Sequence, residues 1–258
     1  MQAAMQRLTQ SPAHRTVAHM TRWKAAATHL LLSIVVIGGI AITAFLLWYP
    51  YALHRVAGLD RVLLVMLAID LTAGPLLTLI VYREGKPSLR FDLAVIALCQ
   101  IAFLGYGLHT LWQGRPVFLV GTPEVFTLVF ANEISDADLA RASRPEWRRL
   151  SWTGPQLVGT RMPDDPAERS AVIEAFMAGG AGIERTPGYY RPYPEIAPAL
   201  LKNSTPAADS VSDADIRAAG DERQDLRQVP ILSRRGEGAM LLDPSGMPRR
   251  TTTTSANP

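Results

Sequence analysis

The sequence contains very little cysteine and, in its second half, no histidine. Cys99 is the only cysteine among 258 residues, and no histidine follows His109. The stretch after residue 112 therefore cannot form a disulfide within itself, and it lacks the Cys and His ligands typical of zinc sites. Its roughly 145 residues must rely on an ordinary apolar core, which a chain of that length can form.

Motifs that would identify an enzyme are also missing. The chain has no glycine-rich phosphate loop, no G-x-S-x-G nucleophile elbow and no metal ligands at a typical spacing. Asp164 and Asp165 are adjacent carboxylates, but their position before a helical pattern is explained by N-capping. We therefore expect that this protein is not an enzyme, with no catalytic residues, no cofactor and no metal ion.

Three long apolar runs with almost no charge occupy the first 112 residues. The run from Ala25 to Leu53 is uncharged, and the others extend from Val62 to Val81 and from Phe91 to Trp112. Each reaches the roughly 20 residues that a helix needs to cross a hydrocarbon core of about 30 Å. Because helices pair all their amides internally, the runs predict a membrane protein with three transmembrane α-helices, at residues 25–49, 62–81 and 91–112.

Basic residues flank these runs unevenly, and this asymmetry predicts the orientation. Seven Lys or Arg residues precede the first run or lie between the second and third, namely Arg7, Arg15, Arg22, Lys24, Arg83, Lys86 and Arg90. Only Arg55, Arg61 and Arg115 lie on the other side. Because Lys and Arg resist translocation, residues 1–24 should be cytoplasmic and the part after the third helix periplasmic, in a bacterial inner membrane. The first run is too long for a signal peptide, which favours an uncleaved anchor.

The balance of charge differs between the two halves. Residues 1–112 carry nine Lys or Arg against four acids, whereas residues 113–258 carry seventeen against nineteen. The basic excess thus belongs to the membrane part and is explained by topology. The slightly acidic second half gives no support for a nucleic-acid partner.

Residues 113–249 are predicted to form a small α+β extramembrane domain, followed by a disordered tail at residues 250–258. Residues 125–130 form an apolar run typical of a buried strand. Capping signals predict helices that begin after Ser135 and after Asp165. Residues 229–233 and 239–242 should be two strands joined by a turn, whereas the polar residues 203–228 indicate a mobile linker with one short helix.

Polar residues inside the predicted spans are the first candidate site. Depths estimated along the second and third helices nearly coincide for Asp70 and Gln100, which predicts a hydrogen bond from the Gln100 amide to the Asp70 carboxyl. The functional alternative is a proton relay or a substrate-binding group. Gly74 and Pro75 predict a kink, which is either a tolerated bend or a docking groove for another membrane helix. Gly105 and Gly107 would permit close helix packing.

A tyrosine-rich segment is the second candidate site. Tyr189, Tyr190, Arg191 and Tyr193 lie in the segment GYYRPYPEI, whose prolines favour a rigid extended loop. Tyr and Arg are enriched where proteins dock, so these four residues are a candidate partner surface. The alternative is that the rings pack onto their own domain.

Several motifs in a fixed order resemble those of a known family. They are RWKAAATHLL, Asp70 with the following GPLLTLIVYREGKPSLRFDLAVI, Gln100, YGLHTLWQGRPVFLV, WTGP, PDDPAERS, GYYRPYPE and LLDPSG. In this order they resemble the TfpX/TfpZ family of type IV pilin accessory proteins, over most of the chain from about residue 20. The C-terminal TTTTSANP does not match the apolar or aromatic ending of that family, which puts any role of the last residues in doubt.

The resemblance implies an inner-membrane accessory protein whose partner is a type IV pilin subunit. Such a protein would bind or present the pilin and aid pilus assembly or its balance with retraction, beside its contact with the lipid bilayer. The alternative is a membrane-tethered periplasmic sensor or modulator that acts through a second protein, because the short cytoplasmic segments contain no output domain.

Overall fold

A computed structural model describes residues 21–207, 209, 211–220 and 222–253 of the chain. Its first part is helical, with α1 at Arg22–Trp48, α2 at His54–Ala57, α3 at Leu59–Ala68, α4 at Gly74–Val81 and α5 at Leu89–Gln113. A single π-helical turn, Ile69–Ala73, joins α3 to α4, so that these two form one continuous helix. Residues 1–20 of the predicted cytoplasmic segment lie outside the described residues.

Three helical stretches are long and apolar enough to cross a membrane: Arg22–Trp48, Leu63–Val81 and Leu89–Gln113. The prediction of three long apolar helices is thus confirmed. Large apolar side chains on these helices are widely exposed, with Leu31 at 63% and Phe91 at 72%. Apolar surface of this extent is typical of a face that contacts lipid or another protein.

Local sequence sets the two ends of α1. The Thr21 hydroxyl accepts a hydrogen bond from the Lys24 backbone N–H at 3.3 Å, which caps the first turn. The helix ends shortly before Pro50, which has no N–H to donate and disfavours helical geometry in the preceding residue. Tyr51 and Ala52 then adopt positive φ angles of 56° and 57°, which are uncommon for residues with a side chain. The chain therefore turns sharply between α1 and α2.

The second part of the chain is built on one mixed eight-stranded sheet. The strands are β1 Pro116–Gly121, β2 Phe126–Phe130, β3 Gln156–Gly159, β4 Arg191–Pro192, β5 Thr205–Pro206, β6 Arg227–Leu232, β7 Glu237–Leu242 and β8 Pro248–Thr252. Their order is β4-β3-β1-β2-β6-β7-β8, and β5 pairs with β6. The pairs β1/β3 and β2/β6 are parallel, and the other pairs are antiparallel. The connections include α6 Asp136–Ala140, α7 Pro166–Met177, α8 Ala197–Asn203 and α9 Asp213–Ala219.

Several local predictions for this part are confirmed. Every residue of β2 is buried, as the apolar run at residues 125–130 predicts. The Ser135 hydroxyl and the Asp165 carboxylate accept backbone N–H groups three residues further on, at the N-termini of α6 and α7. The two strands predicted at residues 229–233 and 239–242 are present as β6 and β7, which pair antiparallel. Capping residues and apolar runs were therefore sufficient to locate these elements.

Two predictions about polar segments are wrong. Residues 203–228 are not a linker, because they include β5 and the start of β6 as well as the expected short helix, α9, and Leu226 is fully buried. The disordered tail predicted at residues 250–258 begins too early, because residues 250–252 belong to β8, where Thr251 pairs with Met240. Strand pairing orders both segments despite their polar composition. Residues 254–258 lie outside the described residues.

The segment between α1 and α3, which contains α2, packs against one face of the sheet, and we call it the turn after α1. Leu53, Val56 and Ala57 have no exposed surface, and they share one apolar cluster with Leu128 of β2 and Met240 of β7. A second cluster packs Phe118 of β1 against Trp147 and Tyr190, which lie outside the strands. The sheet is therefore joined to the long helices through a shared core.

Hydrogen bonds strengthen this junction. The Ser233 hydroxyl donates to the Val56 carbonyl at 2.6 Å, and the Arg235 guanidinium donates to the carbonyls of Ala57 and Gly114 at 3.4 and 3.3 Å. The turn that joins β6 to β7 thus contacts both the turn after α1 and the end of α5.

An ion-pair group holds the other side of the junction. Asp215 of α9 accepts hydrogen bonds from Arg55 at 2.9 Å and from Arg250 at 2.6 Å. Burial by itself would raise the pKa of Asp215, but hydrogen bonds from Arg55, Arg250 and Ser212 outweigh burial and lower the pKa to about 2. Asp215 is therefore ionised at neutral pH and joins the turn after α1 to β8.

Replacing Asp215 with asparagine should destabilise the protein. Two guanidinium groups would lose their counter-charge, so we expect the free energy of unfolding to fall by about 2 kcal/mol. Because the folded-state pKa lies below the ordinary value of 3.8, the contribution of Asp215 is complete above that value and is lost as the pH falls toward 2. Thermal unfolding of the full chain in detergent, at neutral and acidic pH, measures both effects.

The control is Asp213→Asn on the same helix, where the carboxylate is 82% exposed and pairs with Arg223. A surface pair of this kind contributes at most about 1 kcal/mol. An equal loss of stability in the two variants would contradict the role assigned to Asp215.

Candidate functional site

Glycines allow close packing of the long helices around α4. A Cβ atom added at Gly74 would overlap Nε2 of Gln100 in α5 and would lie 3.1 Å from Nε2 of His29 in α1. A Cβ atom added at Gly107 of α5 would lie 2.8 Å from Cε of Met66 in α3, whereas one added at Gly105 would have nothing within 4 Å. The predicted small-residue packing thus holds at Gly107 and not at Gly105, and Gly74 brings α1, α4 and α5 together.

The π-helical turn accommodates Pro75. It widens the helix at Ile69–Ala73 and ends two residues before the proline, whose ring would otherwise meet the preceding carbonyl groups. The Thr72 hydroxyl donates to the Ala68 carbonyl, as polar side chains in membrane helices often do near a proline. The disturbance predicted at Gly74 and Pro75 therefore takes the form of a π turn, and Asp70 lies within it.

His29 of α1 joins the three helices through hydrogen bonds. Its Nδ1 lies 2.6 Å from Oγ1 of Thr78 in α4, and its Nε2 lies 2.6 Å from Oε1 of Gln100 in α5. Because the Gln100 oxygen only accepts, Nε2 donates to it, and in the neutral ring Nδ1 accepts the Thr78 hydroxyl. Sequence reasoning missed His29, although a histidine in an uncharged apolar run is a signal of a polar intramembrane site.

The predicted hydrogen bond between Gln100 and Asp70 is wrong. Gln100 is bonded to His29 instead. Asp70 is only 6% exposed, and its Oδ1 is buried without a hydrogen-bond partner among the residues that the structure describes. The prediction compared depths along the second and third helices and left out α1, which supplies the partner of Gln100.

Asp70 lines a cavity of about 480 Å³ between α1, the π turn, α4 and α5, which we call the cleft. Most of its lining side chains are apolar, and the polar ones include Asp70, His29, Thr78 and Gln100. Leu32 of α1 and Ile101 of α5 also line it, and they are 62% and 67% exposed. The cleft therefore opens to the surroundings between α1 and α5.

Aromatic rings collect where α1 and α5 meet the sheet. The Trp112 ring lies 6.0 Å from the Trp48 ring and 5.0 Å from the Trp152 ring, in edge-on geometry. The Trp48 indole donates to the Trp152 carbonyl at 2.9 Å, and the Arg115 guanidinium lies 3.6 Å from the Trp112 ring centre. The WTGP segment thus packs on the C-terminal ends of α1 and α5, and such rings favour the headgroup layer of a membrane.

The tyrosine-rich segment is mostly not a surface. Of the four candidate residues, Tyr190 and Tyr193 are each 2% exposed, Tyr189 is half-buried, and only Arg191 is exposed. The Tyr190 hydroxyl donates to the Glu184 carbonyl at 2.7 Å, and the Tyr193 hydroxyl donates to a backbone carbonyl as well. Burial raises the pKa of both phenols. The prediction of a partner surface is therefore wrong for Tyr190 and Tyr193. Their rings pack onto their own domain, as in the alternative.

An apolar surface lies instead on α7. Ile173, Phe176 and Met177 are 45%, 58% and 79% exposed, and no residue of α7 is buried. The helix follows β3, which runs parallel to β1 and therefore away from the end of α5. The capping signal located α7 correctly, but periodicity alone did not show that its apolar side chains are uncovered.

Within the described ranges, no three His, Cys, Asp or Glu side chains are grouped so that they could hold a metal ion. The polar groups of the cleft are hydrogen-bonding groups inside an apolar environment. Their arrangement is suited to binding a polar group that arrives on an apolar carrier.

Comparison with known proteins finds relatives by sequence that cover most of the chain. No family model matches it, and no solved structure matches it. The chain is 26% identical to the fimbrial assembly proteins of serogroup E1 and of serogroup I from Dichelobacter nodosus, in each case over 85% of this chain and 90% of the relative. It is 30% identical to the fimbrial assembly protein of serogroups C1 and C2 from the same organism, over 46% of this chain and 92% of that relative.

Proposed function

The chain belongs to the family of fimbrial assembly proteins, and from this membership we propose that it is an inner-membrane accessory protein of the TfpX/TfpZ type. It binds or presents a type IV pilin subunit, and it aids pilus assembly or the balance of assembly with retraction. The role is not enzymatic and requires no cofactor.

The proposed topology places residues 1–24 in the cytoplasm and the sheet in the periplasm. The uneven distribution of Lys and Arg around the three long helices supports this orientation. The tryptophans at the C-terminal ends of α1 and α5 would then lie at the periplasmic headgroup layer, close to the first residues of the sheet domain.

The cleft is the observation that carries the proposal. It is open between α1 and α5, mostly apolar, and contained within the long helices. A membrane-spanning segment of a pilin is a suitable occupant, because helices in a bilayer associate by close packing together with a few polar contacts. The exposed apolar face of α7 offers a second contact, with the pilin domain outside the membrane.

Site-specific photo-crosslinking in living cells tests this proposal. A photoreactive phenylalanine analogue at Ile101, which lines the cleft, should crosslink to a pilin. The same analogue at Phe103 should not, because that position is roughly 200° further around α5 and is 57% exposed. Deleting the chain should also reduce surface piliation.

Two results would contradict the proposal. The first is that Ile101 and Phe103 crosslink to the pilin equally, or that neither does. The second is that cells without the chain have normal surface piliation. If the pilin instead crosslinks only at Phe176 on α7, the contact outside the membrane remains and the cleft is excluded.

A further inference from the structure

The unpaired oxygen of Asp70 indicates what the cleft binds. We propose that Asp70 accepts a hydrogen bond from a positively charged amine, which is carried into the cleft by an apolar helix of another molecule. This inference rests on the proposed function for the identity of the carrier in the cell, but its chemistry follows from the cleft itself.

The first step is that Oδ1 of Asp70 is buried without a hydrogen-bond partner among the residues that the structure describes. Both ring nitrogens of His29 are already occupied, by Thr78 and by Gln100. A carboxyl group buried in such a position is costly unless a donor satisfies it. A molecule that brings a hydrogen-bond donor to Asp70 therefore binds much more tightly than one that does not.

The second step concerns the charge of the donor. No Lys or Arg occurs in residues 25–54, 62–82 or 91–114, so none of the three long helices carries a cation that could meet Asp70 at its depth. A protonated amine satisfies the oxygen and neutralises the charge at the same time, and such charge-assisted hydrogen bonds are roughly twice as strong as neutral ones.

The third step concerns the carrier. Asp70 lies seven residues after Leu63, where the apolar stretch of this helix begins, which is roughly 10 Å along the helix axis. A lipid headgroup amine would have to leave the interface to reach that depth, whereas a side chain on a membrane-spanning helix is already there. The mostly apolar lining and the opening between Leu32 and Ile101 fit an apolar helix.

The test uses a model helix as the probe. The full chain is placed in nanodiscs of phosphatidylcholine, which contains no primary amine, and is titrated with labelled Leu/Ala helices that carry one central lysine or one central norleucine. We expect the lysine helix to bind about tenfold more tightly, because it alone meets the Asp70 carboxyl. This preference should disappear in Asp70→Leu and fall in the isosteric Asp70→Asn.

A matched control separates this effect from a general loss of negative charge. Asp92 lies in the first turn of α5, where it pairs with Lys86, and it is not part of the cleft lining. Asp92→Asn should keep the preference for the lysine helix. Equal binding of both helices by the unaltered chain, or a preference that survives Asp70→Leu, would overturn the inference. Loss of the preference only when phosphatidylethanolamine is added would identify a lipid amine as a competitor and would likewise overturn it.

The crosslink from Ile101 distinguishes the inference from the proposed function. If the pilin crosslinks to the unaltered chain and the yield falls about tenfold in Asp70→Leu, both are supported. If the yield is unchanged in Asp70→Leu, the proposed function stands and the inference fails. If no pilin crosslinks while the lysine helix still binds through Asp70, the inference stands for a carrier other than a pilin, and the proposed function fails.

Discussion

Replacing Gly74 with leucine is expected to separate α4 from α5 and to lower the free energy of unfolding by about 3 kcal/mol, since added side-chain volume in a closely packed site forces its neighbours apart. A Cβ at this position alone would overlap Nε2 of Gln100 and would lie 2.8 Å from its Cδ. Gln100 must therefore leave its place, and its hydrogen bond with His29 is lost. Thermal unfolding of the full chain in detergent measures the effect, and surface piliation should fall with it.

Gly105→Leu on α5 is the matched control, because nothing lies within 4 Å of a Cβ at that position. We expect a change below about 0.5 kcal/mol there. A second test combines Gly74→Ala with Gln100→Ala. If the clash with Gln100 causes the loss, Gly74→Ala should cost much less in a chain that already carries Gln100→Ala. Equal costs at Gly74 and Gly105 would show that the close approach of α4 and α5 does not stabilise the protein.

Replacing Val56 with aspartate is expected to have the largest effect outside the long helices. Val56 has no exposed surface, and it packs against Gly236 and Gly238 of the sheet domain. A carboxylate there would be buried in an apolar cluster, which should cost about 4 kcal/mol or more and detach the turn after α1 from the sheet. Limited proteolysis of membrane vesicles should then cleave between residues 113 and 253 much faster.

Leu232→Asp controls for the introduction of a charge into an apolar position. Leu232 is on β6, close in sequence to the turn that contacts Val56, but it is 42% exposed. Its replacement should change the rate of cleavage little. If both variants are cleaved at the rate of the unaltered chain, the junction between the turn and the sheet does not hold the domain in place.

The sequence was informative where one local rule decides the structure. Run length and apolar composition predict the long helices because backbone pairing in lipid leaves few alternatives. Ser135 and Asp165 predict helix starts because an N-cap acts on amides three residues away. These elements depend only on neighbours along the chain, and the structure contains them.

The candidate site was less predictable because its contacts join distant residues. His29 is 71 residues from Gln100 in sequence, and the partner of Gln100 is therefore not visible from either helix alone. From the sequence, Arg55 indicates only topology, yet its guanidinium also donates a hydrogen bond to Asp215, 160 residues away. The tyrosines near residue 190 have a composition typical of a docking surface, but composition does not tell which way a ring points.

The contact of the turn after α1 with β6 and β7 has a consequence for the synthesis of the protein. Ser233 contacts Val56 across 177 residues of sequence. At typical rates of about 5 to 20 residues per second, a ribosome needs roughly 10 to 35 seconds to add that stretch. During this interval Leu53, Val56 and Ala57 are without the cover that β6 and β7 later provide. Chains that terminate before β6 keep this apolar segment exposed. Exposed apolar segments of this kind are recognised by chaperones and quality-control proteases.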